Sequence, residues 1–145
     1  MAANSNEIGA LLQHTASLLA KQTDQVLQEQ LGIGFSQFKI LQTLQTSPKS
    51  KQQQIAFNLG QTEASISRQV KLMIQQGLLE SRRNPGNLRE HITLATSKGE
   101  RVVEAALSVL AKYHAPTFNK LTPKQHEQLA STLQALHDAV CTQKH

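Results

Sequence analysis

The chain has 145 residues, 39% hydrophobic, 17% charged and 3% aromatic, with a formal net charge of +5, which fits one globular domain or a small core with helical extensions and excludes two large domains. No apolar run approaches the roughly 18 to 20 residues of a bilayer span, and Met1 to Glu7 lacks the basic and apolar regions of a leader, so a cytoplasmic protein without a membrane partner is expected. Cys141 is the only cysteine, which excludes an internal disulfide framework or a cysteine-rich zinc site within one chain.

From Ile8 to Leu31, apolar residues recur at three- and four-residue steps and predict a long amphipathic helix stopped at Gly32 and Gly34. Ser36 offers an N-cap for a second helix carrying Phe38, Leu41 and Leu44, ended by Thr46, Ser47 and Pro48. A short third helix is expected over Lys51 to Leu59, stopped by Gly60. The fourth begins near Thr62, with Ile66, Val70, Met73, Ile74 and Gly77 on its inward stripe. Leu78 to Asn84 and Leu88 to Ala95 flank the turn cluster Pro85, Gly86, Asn87 and read as a hairpin, with Ile92 and Leu94 alternating with Thr93 as a half-buried strand would. Ser97 with Glu100 suggests a capping box for a fifth helix. Thr122 and Pro123 cap and open a sixth, with Leu129, Leu133, Leu136 and Val140 inside.

The class is therefore mainly α: a winged helix-turn-helix lobe over 35–96 with a two-stranded wing, and long N- and C-terminal helices, 1–34 and 97–145, forming a dimerisation region continuous with it. The leucine stripes of the terminal helices are hard to bury within one chain of this size. Ile8, Leu11, Leu12, Leu129, Leu133, Leu136 and Val140 are accordingly expected at a homodimer interface, the terminal helices packing on each other and on a second subunit.

Charge is pooled in the middle. Between Pro48 and Arg101 nine basic residues face four acidic ones, whereas the flanks hold six of each, a distribution suited to a polyanionic partner. Ala56, Gly60 and Ile66 sit where a helix-turn-helix needs a small residue, a turn and an inter-helix contact. Projected at about 100° per residue, the fourth helix presents Ala64, Ser65, Arg68 and Lys71 opposite Ile66 and Val70. Short side chains let the backbone approach a major groove while Arg68 reaches a guanine edge or a phosphate, and Thr62, Ser67 and Gln69 are further candidates for contact. In the hairpin, Arg82, Arg83 and Arg89 bracket a projecting tip suited to a minor groove.

These pieces resemble a MarR-family transcriptional regulator over about Glu7 to Val140. The similar segments are Gln54-Ile55-Ala56 to Leu59, Ser65-Ile66-Ser67-Arg68-Gln69-Val70, Gln76-Gly77-Leu78-Leu79, Asn84-Pro85-Gly86-Asn87-Leu88-Arg89 and Thr96-Ser97-Lys98-Gly99. The resemblance implies a triangular homodimer binding double-stranded DNA at a pseudo-palindromic operator, most simply as a repressor associated with the nucleoid when bound. It also implies relief by a small-molecule effector, of unknown identity, between the dimer helices and the DNA-binding lobe. Two departures stand out. Asn87 occupies the place of the family's acidic residue ahead of the tip arginine, counted here among the DNA-binding candidates, and Ala95 replaces a leucine, leaving less apolar volume under the wing.

No catalytic constellation, phosphate-cradling glycine loop or cofactor motif is present, so neither an enzyme nor a cofactor is expected. A winged-helix protein-interaction module that does not read DNA would share the outline, but would not need Arg68, Arg82, Arg83 and Arg89 together. Aliphatic-type core use is expected for most of Phe35, Phe38, Phe57, Tyr113 and Phe118. Cys141, with only Lys144 near it to favour a thiolate, reads as an inert thiol, and the six histidines show no pair at i, i+4 spacing for metal binding.

Overall fold

The computed structural model describes residues 3–141 and contains, in chain order, α1 (Ser5–Leu31), α2 (Phe35–Thr46), α3 (Gln52–Leu59), α4 (Glu63–Gln75), β1 (Leu79–Asn84), β2 (Asn87–Ala95), α5 (Ser97–Phe118) and α6 (Pro123–Cys141). The mainly helical architecture with a two-stranded wing is as expected. The chain divides into two compact units, Met1–Leu110 and Ala111–His145.

In the first unit, local capping fixes where helices begin. α1 starts ahead of Ile8 because Asn4 accepts from the Glu7 N–H at 3.0 Å while Glu7 accepts from the Asn4 N–H at 3.3 Å. Gly32, with φ 67°, ends it in the left-handed conformation. α2 does not start at Ser36: Gly34 is the N-cap, Asp24 Oδ1 of α1 accepts from Phe35 N–H at 2.9 Å, and Gln37 Oε1 accepts from Gly34 N–H at 3.1 Å. A carboxylate reaching over from the preceding helix satisfies an orphan donor that local sequence would assign to a serine.

The core joins Leu27 of α1, Phe38, Leu41 and Leu44 of α2, Ile55 and Ala56 of α3, Ile66, Val70 and Met73 of α4, and Val103 and Ala106 of α5. Ile74, expected on the inward stripe, is 38% exposed, since the buried arc of α4 is only as wide as Ile66, Val70 and Met73. Phe57 is likewise not in the core: it is 86% exposed on α3.

β1 and β2 pair antiparallel, Leu79 opposite Ala95 and Arg83 opposite His91. The burial of β2 inverts the expected alternation. Thr93 is buried while Ile92 and Leu94 are half-buried, because Ser50, ahead of α3, forms a one-residue bridge in which Thr93 N–H donates to Ser50 O at 2.8 Å. α5 is capped by Thr96 rather than Ser97: Thr96 Oγ1 accepts from Gly99 N–H at 3.0 Å. Gly99 is buried so closely against Leu78 that a Cβ there would collide with the Leu78 carbonyl oxygen.

The second unit holds the last turns of α5 and all of α6. Thr122 and Gln125 form a reciprocal cap, Thr122 Oγ1 accepting from Gln125 N–H at 3.2 Å and Gln125 Oε1 from Thr122 N–H at 2.9 Å, with Pro123 opening the helix as expected. His126 Nε2–H donates to the Phe118 carbonyl at 2.6 Å across the corner. Among the described residues, α6 buries none; Leu129, Leu133 and Leu136 are 39–41% exposed and Val140 64%, not inside this chain.

Candidate nucleic-acid interface

Three sets of contacts position α4. Thr62 accepts from Ser65 N–H at 3.1 Å at its start. At its end Gly77, with φ 76°, turns the chain, and the terminal carbonyls of Gln76 and Gly77 take Lys98 Nζ at 2.8 Å and Thr96 Oγ1 at 2.6 Å. Gln37 Nε2 also donates to Gln76 Oε1 at 3.0 Å, tying α2 to the C-terminal end of α4. With Ile66, Val70 and Met73 buried, the helix cannot rotate without exposing them.

The structure sorts the candidates on α4. Ala64, Ser67, Arg68 and Lys71 are exposed, and among the described residues Arg68 and Lys71 have no ion-pair partner. Thr62 is exposed, but its hydroxyl is engaged as the cap. Ser65 is half-buried with its Oγ 3.5 Å from Gln61 Oε1. Gln69 is half-buried and lines a polar cleft of about 320 Å³ with Asp24, Gln28, Gln37 and Gln76, so it does not share the face of Arg68. Gln75, which carries no charge to single it out in the sequence, is exposed and lies seven residues beyond Arg68, on the same outward line.

On the wing, Arg82 and Arg83 are neighbours in a strand and so project from opposite faces. Arg82 pairs with Glu80 at 2.7 Å, whereas Arg83 and Arg89 are exposed without an ion-pair partner among the described residues. Asn87 accepts from Arg89 N–H at 3.2 Å, so it retains a turn-forming role without a carboxylate. The carboxylate found near the tip is Glu90. It takes Lys51 Nζ at 2.6 Å and Asn84 Nδ2 at 3.2 Å, and these two hydrogen bonds, Lys51 first, hold its pKa below the ordinary carboxylate value. Glu90 thus anchors the wing to the start of α3, a link across 39 residues that no local pattern signals.

Under the wing, Ala95 lines a cleft of about 440 Å³ together with Leu41, Leu44, Leu94 and Val103. Ile8, Leu11 and Leu12 on α1 are 41–68% exposed. Besides the expected Lys144, Cys141 has a neighbour one helical turn back: His137, four residues earlier, brings Nε2 within 3.5 Å of Sγ. Lys144 and His145 lie outside the described residues. Among the described residues no group of three or more His, Cys, Asp and Glu is placed to hold a metal, and no helix is long and apolar enough to cross a membrane.

Residues 35–91 match the model of the MarR family. A curated relative, the HTH-type transcriptional regulator BilQ of Clostridium symbiosum, is 29% identical over 89 residues, 61% of this chain and 62% of that protein's length. The fold is shared with the MarR/EmrR family transcriptional regulator of Acinetobacter sp. ADP1, at 20% identity and a TM-score of 0.82 over 98% of this chain and all of that one. It is shared also with wild-type MarR from E. coli in its apo form, at 18% identity and a TM-score of 0.81 over 94% and 98% of the two chains. The matched segment spans α2 to most of β2, so it contains both the recognition-type helix and the wing tip, and over nearly its whole length the chain has the fold of MarR-family winged helix-turn-helix regulators.

Proposed function

We propose that the protein is a homodimeric transcription regulator that reads double-stranded DNA at a pseudo-palindromic operator, in the cytoplasm and as a repressor. The observation that carries this reading is the exposed edge of α4, where Ala64, Ser67, Arg68 and Lys71 lie opposite a buried stripe, beside a wing whose Arg83 and Arg89 have no acidic partner among the described residues. Small side chains at the N-terminal end of α4 admit the backbone to a major groove, Arg68 supplies a fork for guanine, and the wing arginines grip phosphate.

Two copies are needed to place two α4 helices on successive turns, about 34 to 36 Å apart. The exposed stripes Ile8, Leu11, Leu12 and Leu129, Leu133, Leu136, Val140 supply apolar surface for that pairing. A small molecule that prefers another spacing of the two α4 helices would relieve repression by linkage.

Binding measured against salt tests the proposal. With on the order of 6 to 8 phosphates neutralised, log affinity falls against log salt with a slope near −0.9 per contact. Arg68→Ala lowers affinity for the selected site by about tenfold or more and relaxes sequence preference, while Arg89→Ala weakens binding to all duplexes alike and reduces the slope. A protein that retains no duplex in dilute salt would overturn the reading.

A further inference from the structure

In the wing tip, between Asn87 and Arg89, Leu88 is a large apolar side chain that the described residues leave 63% exposed. Single exposed leucines are ordinary on protein surfaces. This one is placed by a specific irregularity. The ladder pairs Arg83 with His91 and Asn84 with Asn87, so Leu88, Arg89 and Glu90 on β2 have no residue opposite them on β1. A bulge of this kind bends the strand and re-aims its side chains.

The bulge is also braced. Glu90 is held by Lys51 and Asn84, Asn87 Oδ1 takes the Arg89 N–H, and Asn84 Oδ1 takes the Gly86 N–H at 3.0 Å. An apolar point is thereby presented on a supported loop with two unpaired guanidiniums, Arg83 and Arg89, nearby in the same tip. An apolar protein partner would give those charges nothing to pair with. A minor groove has phosphate walls for the arginines, and its A·T floor lacks the guanine amino group that would meet an apolar side chain without a hydrogen-bond acceptor.

We propose that Leu88 is a specificity-determining residue of the wing, entering the minor groove between phosphates contacted by Arg83 and Arg89 and favouring A·T over G·C pairs there. The inference rests on the DNA-reading function proposed above and adds to it a sequence preference outside the bases read by α4.

Duplexes of about 30 base pairs, roughly three helical turns, are selected from a random pool by the wild-type protein. The pairs flanking the half-sites are then set to A·T, G·C or inosine·C, the last keeping the major-groove pattern of G·C but lacking its minor-groove amino group. Wild-type protein should bind A·T and inosine·C flanks alike and G·C flanks about tenfold more weakly. Leu88→Ala should bind all three equally with an unchanged salt slope, since no phosphate contact is lost, while Leu88→Ile keeps the preference. Leu88→Ala retaining the wild-type ranking, or wild type treating inosine·C as it treats G·C, overturns the assignment. A wild-type protein that selects no duplex overturns the DNA-binding function itself, a distinguishable failure.

Discussion

α4 and α6 are both amphipathic helices with an apolar stripe at helical spacing, yet among the described residues the stripe of α4 is buried and that of α6 is not. Ile66, Val70 and Met73 of α4 are at most 1% exposed, whereas Leu129, Leu133 and Leu136 of α6 are about 40% exposed. Periodicity states that a helix has a face to hide; it does not state what hides it. α4 has α2, α3 and β1 against it. Among the described residues α6 buries no side chain, and in the proposed homodimer a second copy covers it.

Truncating each stripe sharpens that contrast and carries the largest expected effect. Ile66→Ala should destabilise the lobe by about 2–5 kcal/mol, read from denaturant midpoints, and by the same amount at every protein concentration. Leu133→Ala should instead lower the melting temperature in a concentration-dependent way, because its stripe is buried by association. Equal, concentration-independent losses would show that α6 is covered without a partner.

Breaking the association outright comes next. Leu133→Asp with Leu136→Asp should sediment as a monomer and bind the selected operator at least about a hundredfold more weakly, through loss of two-site avidity. Its far-ultraviolet circular dichroism should stay helical, since neither residue belongs to the core. A double variant that remains dimeric would place the interface elsewhere.

Gly99→Ala tests how closely the start of α5 approaches the end of α4. The added methyl group meets the Leu78 carbonyl, and a cost of about 1–3 kcal/mol is expected in thermal melts. A neutral result would mean that the Leu78 backbone yields easily.

The smallest effect concerns the wing anchor. The Glu90 pKa is lowered in the folded protein, so the anchor is fully present above the ordinary carboxylate value, near pH 4 to 4.5, and is lost as pH falls through the folded value. Hydrogen exchange at wing amides should therefore be flat from pH 8 to about 5, after correction for the intrinsic rate, and rise in more acid solution. Glu90→Gln should show the faster exchange already at neutral pH. Wing protection indifferent to both changes would remove Glu90 as the tether.

Legibility in the sequence followed the range of the interaction responsible. The α6 cap at Thr122 and Pro123, the glycine stops at Gly32 and Gly60, and the outward placement of Ala64, Arg68 and Lys71 all depend on residues within one or two helical turns. Local sequence places the start of α2 at Ser36, whereas the acceptor at its true start, Asp24, comes from α1, 11 residues from Phe35. The alternation of Ile92 and Leu94 with Thr93 does not reveal that Thr93 is the buried one, because Ser50, which bridges to it, lies 43 positions earlier in the chain. Gln69 is a contact candidate by helical period, and the period alone does not show the polar cleft that it lines with Gln28 and Gln37.

By itself the sequence determined the order of helices, the hairpin, and the pooling of positive charge in the middle, since these follow from local periodicity, caps and composition. Tertiary structure alone decided which basic residues are left unpaired, as Arg82 and Lys51 turn to Glu80 and Glu90 while Arg68, Lys71, Arg83 and Arg89 do not, among the described residues. It also decided that three residues of β2 at the tip have no residue opposite them on β1. Pairing of charges and register of strands depend on which distant segments meet, and that is settled only when the core closes.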